Sequence, residues 1–287
     1  MNDRPKAETA ARTTRRWFIT GANSGLGASF TRAALRAGDT VIAAVRRPET
    51  VARLVEEHPG RVSVVRLDVA DPEQCRQAVH QALADGGQID VLVNNAGYGL
   101  VGAVEETTEE ELRDGFEVMF FGAMRLVRLL LPHMRRRGSG AIVQVSSMGG
   151  LMTFPGNGAY CAAKGALEQA SEALAAEVEP LGIQVLIVEP GAFRTEFAGP
   201  ALLASAEIDD YAKTVGAVRA RLAAADGTQP GDPDKAAAAV VSLLGRHDAP
   251  LRLALGADAV QAIRAKLAAV TADLDRTAEL SHSTAID

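Results

Sequence analysis

Short, almost wholly apolar runs recur along the chain, and between them apolar residues return every three or four positions. The runs cover residues 17–20, 40–45, 62–67, 91–94, 141–146 and 183–188, with a weaker one at 251–255. Their β-branched content predicts strands. Because they run on without alternating, they predict central strands covered on both faces. The intervening periodicity predicts helices over 25–37, 72–84, 109–136 and 158–181. Asp71 reads as an N-cap, with Pro72 at the first helical position, where a missing N–H breaks no hydrogen bond. Strand and helix in alternation predict an α/β fold, a doubly wound parallel sheet of about seven strands with helices on both faces.

Residues 1–15 are charged, alanine- and threonine-rich and aperiodic, which predicts a disordered N-terminal arm. Residues 16–274 carry the alternation without linker or repeat and read as a single domain, and 275–287 read as a C-terminal tail. Only 192–228 breaks the rhythm, between the sixth and seventh strands. Ligands of an open parallel sheet bind beyond the carboxyl ends of its strands, so an insertion there is expected to be a substrate lid. The other reading is a plain surface excursion.

Composition narrows the function. The formal net charge of -6 disfavours a nucleic-acid partner, which needs clustered Lys and Arg. Cys75 and Cys161 form no CxxC pair and the histidines are scattered, so neither a disulfide framework nor a metal site is expected. No apolar run reaches the ~20 residues that span a bilayer, and residues 1–16 have no apolar leader core. The expectation is a cytoplasmic protein with no membrane partner.

The segment Thr20-Gly21-Ala22-Asn23-Ser24-Gly25-Leu26-Gly27 follows the first strand and opens the first helix. Glycine allows positive φ and close backbone approach. The free N–H groups and dipole of a helix N-terminus favour a pyrophosphate. This is the Rossmann-type setting for a dinucleotide, although the spacing is Gly-x-x-x-Gly-x-Gly. An acid at the end of the second strand would hold the adenosine ribose. Val45 stands there, followed by Arg46 and Arg47, and Ser24 adds a hydroxyl donor. Two guanidinium groups and no carboxylate favour a 2′-phosphate, hence NADP(H).

Tyr160 and Lys164 are four residues apart on a predicted helix and share one face. A nearby ammonium favours tyrosinate, so a lowered Tyr160 pKa is expected. Ser147, at the end of the fifth strand, is in reach of the same substrate oxygen. With the glycine turn, with Leu67-Asp68-Val69, Asn94-Asn95-Ala96-Gly97 and Ser146-Ser147, and with Pro190-Gly191 before Thr195, the chain resembles the short-chain dehydrogenases/reductases from about residue 17 to 274.

That resemblance implies roles. Tyr160 would be general acid in reduction and general base in oxidation, Lys164 would hold the nicotinamide ribose and tune Tyr160, and Ser147 would position the carbonyl. Gly21, Asn23, Ser24, Gly25, Leu26 and Gly27 would cradle the phosphates. Asp68 and Val69 would border the adenine, Asn95, Ala96 and Gly97 the ribose, and Pro190, Gly191 and Thr195 the nicotinamide. The cofactor carries the redox chemistry. A homo-oligomer, dimer or tetramer, is also implied, with 158–181 at one interface.

One position departs from the family pattern. Phe116-Glu117-Val118-Met119-Phe120-Phe121-Gly122 carries Met119 where many members have an asparagine that helps hold a water in a proton path from the lysine. A thioether does not replace an amide. A backbone carbonyl that still holds the water, a different relay, and cofactor binding without turnover are the three readings. Tyr98, Met148, Leu151, Met152, Phe154, Phe193 and Phe197 crowd the expected pocket and suggest a bulky apolar substrate, polycyclic, steroid-like or polyketide-like. The expected activity is therefore NADP(H)-linked reduction of such a carbonyl. The alternatives are a regulatory cofactor-binding protein and an epimerase or dehydratase.

Overall fold

A computed structural model describes residues 14–199 and 201–286, and the arm expected before residue 14 lies outside them. The chain runs through β1 (Arg16–Thr20), α1 (Gly25–Arg36), β2 (Thr40–Val45), α2 (Ala52–Glu57), β3 (Val62–Arg66) and α3 (Pro72–Leu83). Then come β4 (Val91–Asn94), β5 (Gly99–Val101), α4 (Glu109–Phe116), α5 (Gly122–Arg137), β6 (Gly140–Val145) and α6 (Gly158–Val178). The last part holds β7 (Ile183–Pro190), β8 (Leu202–Ala204), α7 (Ala217–Ala225), α8 (Pro233–Leu243), β9 (Arg252–Leu255) and α9 (Ala257–His282).

Seven strands form one parallel sheet in the order β3-β2-β1-β4-β6-β7-β9. The order reverses between β1 and β4, which opens a crevice at their carboxyl ends. Both faces are covered, as the unbroken apolar runs require. Trp17 and Ile19 point to one side and pack with Phe30 of α1 and Ala237 of α8. Phe18 points to the other and packs with Cys75, Leu126 and Leu174 of α3, α5 and α6. Asp71 caps α3 by accepting from the N–H groups of Glu73 and Gln74. Gly138, at φ 67°, ends α5 in the left-handed conformation that glycine adopts without strain. Among the described residues, no helix is long and apolar enough to cross a membrane.

Four features differ from the sequence reading. The helix expected over 109–136 is divided by a π turn at Glu117–Phe121. Here the helix lies close against the loop after β3, where a Cβ on Gly122 would stand 2.7 Å from the Val69 carbonyl oxygen. Arg15, placed at the end of the arm, is tied down: its N–H donates to Asp39 at 3.0 Å and its guanidinium pairs with the same carboxylate at 3.3 Å. The tail expected from residue 275 is helical to His282, because α9 meets no helix breaker there. Finally, β5 and β8 form a small parallel sheet, too short at three residues each to stand out in the apolar pattern.

That small sheet anchors the 192–228 excursion. The buried Glu106 accepts from the N–H groups of Ala103 (2.7 Å) and Ile208 (2.9 Å) and pairs with Arg219 at 2.8 Å. The excursion is thereby built from β8 and α7 around one carboxylate.

A second ion cluster ties α6, β7 and β9 together. Arg252 pairs with Glu168 and Glu172 at 2.7 Å each, and with Glu189. Glu168 and Glu189 are 1% and 2% exposed. Removing one partner of a buried pair strands the other charge. We therefore expect Arg252→Met to lower the unfolding free energy by about 3–5 kcal/mol in urea denaturation. A loss under about 1 kcal/mol would mean that water reaches these carboxylates, as at an exposed ion pair.

Candidate active site

The glycine turn is shaped by contacts that only glycine permits. Gly21 and Gly25 have φ of 64° and 51°. A Cβ on Gly27 would overlap the Gly21 carbonyl and come within 2.6 Å of the Asn95 amide. The Gly21 N–H donates to the Ala44 carbonyl on β2 at 2.9 Å. Asn95 braces the same turn through its Nδ2, which donates to the Thr20 carbonyl at 2.9 Å. The N–H groups of Asn95 and Ala96 both donate to Thr20 Oγ1 at 2.9 Å. Asn95 and Ala96 thus hold the turn, a task their sequence positions did not reveal.

Ser24, the N-cap of α1, makes no side-chain hydrogen bond to the first turn. The leading N–H groups of α1 therefore keep no side-chain cap and face a cavity lined by Ser24, Gly25 and Leu26. An uncapped helix start, glycines required by positive φ at 21 and 25 and by close contact at 27, and a sheet switch point together fit a dinucleotide pyrophosphate. Asn23 lies exposed on the turn. Arg46 and Arg47 follow β2 exposed, and neither guanidinium has a partner among the described residues. Asp68 and Val69 form the loop after β3. The Asp68 carboxylate accepts from the Ala70 N–H at 3.0 Å, and Val69 is buried with its carbonyl accepting from Arg125 at 2.8 Å.

The same cavity is lined by Asn95, Gly97, Ser147, Tyr160, Lys164, Pro190, Gly191 and Thr195. Five loops or helix starts, distant in sequence, thus meet at one edge of the sheet. Pro190 ends β7, and the Gly191 N–H donates to the Leu255 carbonyl at 2.9 Å. Thr195 closes toward the glycine turn, since a Cβ on Gly25 would lie 3.5 Å from the Thr195 Cβ. Tyr98, Met148, Phe154, Phe193 and Phe197 join the lining; Leu151 and Met152, grouped with them on sequence, do not. The Tyr160 and Phe197 rings meet edge to face at 5.6 Å.

Tyr160 and Lys164 share the buried face of α6. The Lys164 Nζ donates to the Val145 carbonyl at 2.8 Å and stands 5.8 Å from the Tyr160 ring centre. Burial pushes the Lys164 pKa down to about 8, against the raising effect of the Glu168 carboxylate. Burial also pushes the Tyr160 hydroxyl well above the usual phenol range, with the Ser147 hydroxyl pulling the other way. The expected lowering of Tyr160 by Lys164 does not hold in this arrangement. The ammonium is committed to a backbone carbonyl, and loss of water outweighs a charge across the ring.

Met119, 1% exposed, packs against Tyr160, Cys161 and Ala163. Its thioether also borders Lys164, since a Cβ on Gly97 would touch Met119 Cγ at 3.4 Å and Lys164 Nζ at 3.7 Å. Two groups escaped the sequence reading. Glu168 accepts from Ser146 Oγ at 2.6 Å and leads on to Arg252; its spacing of four from Lys164 was the available signal. Gln229 and Asn157 line the cavity with no sequence signal, and Leu222 and Ala225 were marked only as part of the 192–228 insertion. No His, Cys, Asp and Glu group among the described residues is arranged to hold a metal.

Comparison with known proteins agrees with this geometry. Residues 15–205 match the short chain dehydrogenase family profile. The chain is 39% identical to an oxidoreductase of Botryotinia fuckeliana, over 95% of this chain and 100% of that protein. It is 36% identical to a 3-ketodihydrosphingosine reductase of Bacteroides thetaiotaomicron, over 83% of this chain and 87% of that one. A short-chain dehydrogenase structure from Streptomyces avermitilis superposes with a TM-score of 0.91 at 50% identity, covering 96% and 100% of the two chains.

The electrostatics of Lys164 can be tested without any ligand. Glu168 favours the ammonium, so Glu168→Gln removes that support and lowers the Lys164 pKa further. We expect NMR titration of the Lys164 side chain to have a midpoint near 8 in the parent protein and a lower one in the variant. A midpoint unchanged by the substitution would show that the carboxylate does not act on Lys164.

Proposed function

The chain belongs to the short chain dehydrogenase family, and from that premise we propose an NADP(H)-dependent oxidoreductase that reduces the carbonyl of a bulky apolar compound. What carries the reading is one apolar cavity that brings Ser147, Tyr160 and Lys164 together beside the uncapped start of α1. The nicotinamide, when bound, supplies the hydride that adds to the carbonyl carbon. The protein's part is orientation and one proton. The glycine turn and the α1 N-terminus hold the phosphates, and Asn95, Ala96, Gly97, Pro190, Gly191 and Thr195 frame the ribose and nicotinamide.

The Ser147 and Tyr160 hydroxyls donate to the carbonyl oxygen. Tyr160, kept neutral by burial, gives its proton to that oxygen as negative charge develops there. The Lys164 ammonium, 5.8 Å from the ring centre, offsets only part of what burial costs the tyrosinate left behind. Reprotonation needs a path to solvent, and Met119 offers no amide to it. The π turn at Glu117–Phe121 supports the backbone-carbonyl reading, because wider turns perturb the usual i→i−4 pairing. The apolar packing of Met119 on Tyr160 supports the second reading, a cofactor-binding protein without turnover.

NADP(H) over NAD(H) is supported by Arg46 and Arg47, guanidinium groups after β2 with no partner among the described residues and no carboxylate at the strand's end. The name of the 3-ketodihydrosphingosine reductase supports the carbonyl-reducing direction. The 192–228 segment, which supplies Phe193, Phe197, Leu222 and Ala225 to the cavity, is the proposed substrate lid. A homo-oligomer is supported by Leu267, Val270 and Leu274, exposed apolar residues along α9, and light scattering should give a mass of at least a dimer; a monomer at micromolar concentration overturns it.

One assay tests the reading. NADPH absorbance loss with bulky cyclic ketones is expected to exceed the NADH rate by at least about ten-fold, and Arg46→Glu with Arg47→Glu should erase that preference. Tyr160→Phe should lower kcat by roughly 10²–10⁴-fold, the usual contribution of a positioned acid. Cofactor binding without NADPH loss on any ketone would favour the regulatory reading instead.

A further inference from the structure

Two buried side-chain oxygens among the described residues have no hydrogen-bond partner, Asn94 Oδ1 and Gln229 Oε1. They are not equivalent. Asn94 belongs to the sheet, and its amide nitrogen is committed to the Ala123 carbonyl (3.2 Å) and Gln144 Oε1 (2.9 Å). Gln229 is 5% exposed, stands on the wall of the cavity that holds Ser147, Tyr160 and Lys164, and makes no side-chain hydrogen bond among the described residues. Buried amide oxygens are nearly always paired, and an unpaired one costs stability.

The backbone under Gln229 is fixed. Its carbonyl accepts from Arg194 Nε at 3.2 Å. Two residues on, the Gly231 N–H donates to Ala192 at 3.0 Å and the Gly231 carbonyl accepts from Arg194 N–H at 2.9 Å, which ties this strip to the chain leaving β7. Gln229 thus sits on a braced strip and does not hang on a free loop. Around the same cavity Phe154, Phe193, Phe197 and Leu222 offer nothing to bond with it.

We propose that Gln229 is a second recognition point for substrate, taking a hydroxyl carried by the apolar body away from the reacting carbonyl. The proposal rests on the carbonyl-reductase reading of the same cavity and refines its substrate to a hydroxylated ketone. A hydroxyl suits the position because it can give a hydrogen bond to Oε1 and take one from Nε2. A ligand without one leaves the amide unpaired in an apolar enclosure, and sites built to bond a hydroxyl reject its deoxy analogue strongly.

The test compares 1-tetralone with its 5-, 6- and 7-hydroxy derivatives, in the parent protein and in Gln229→Leu and Gln229→Met. The readouts are kcat/KM with NADPH, and Kd by calorimetry in the presence of NADPH. The expectation is that at least one hydroxylated isomer is preferred by about ten-fold or more, and that both variants bring the ratio close to one. Thermal melting should show no loss in Gln229→Leu, since no protein partner is removed. Equal handling of parent and hydroxylated ketones by the unaltered protein overturns the proposal and leaves the amide to water. So does a preference that survives both variants, or a clear fall in Tm, which would make Gln229 structural. If no tetralone consumes NADPH, the wider panel of bulky cyclic ketones decides the reductase reading, while the ratio of Kd values still decides Gln229.

Discussion

Every strand of the main sheet runs in the same direction, and the rest of the molecule follows from that. Parallel neighbours cannot be joined by a tight turn, so each connection crosses over through a helix and covers a face. The strands then need apolar side chains on both sides. The carboxyl ends also all emerge at one edge. Residues 20–27, 45–47, 94–97, 145–147 and 190–195 are separated by most of the chain, yet each follows a strand and each arrives at that edge. The order reversal between β1 and β4 leaves the crevice in which they meet.

Within the crevice, burial is the dominant force on the chemistry. Tyr160 and Lys164 lie on the inner face of α6, and loss of water moves them in opposite senses, the phenol up and the ammonium down. Both shifts favour neutral groups, as a low-dielectric site requires. Glu168 acts against this from one turn away on the same face. It is held by Ser146 on one side and by Arg252 on the other, so the carboxylate near Lys164 is itself fixed by the residue after β6 and by β9. Such a chain joins the Tyr160 and Lys164 face of α6 to the far edge of the sheet. Glu189, also buried, is pushed up by burial and by Glu168, with Arg252 opposing.

The excursion between β7 and β9 solves a different problem. A loop of this length needs its own hydrogen-bond partners. It finds them in β5, through β8, and in Glu106, through Ile208 and Arg219. The return strip at Gln229 to Gly231 then pairs beside Phe193. This wall of the cavity is therefore a folded unit, mostly apolar, that also brings Thr195, Glu196 and the Gln229 amide to the lining.

Much of this was legible in the sequence. Unbroken apolar runs specify buried parallel strands, because side chains on both faces must be apolar. Gly21, Gly25 and Gly27 mark a turn that no side chain fits, and the spacing of Tyr160 and Lys164 puts them on one helical face by periodicity alone. These are local properties, set by neighbours in the chain. What only the tertiary structure decided depends on partners far away in sequence. The direction of the Tyr160 shift needed its burial and the Val145 carbonyl that engages Lys164. The pairing of β5 with β8 needed a three-residue match across about a hundred positions. The Arg252 cluster needed β7, β9 and α6 side by side. Gln229 needed a cavity to show that its amide had no partner, and a glutamine in a polar stretch carries no sign of that. Periodicity encodes which face a residue is on; only packing decides what stands opposite it, and with it solvation, charge and recognition.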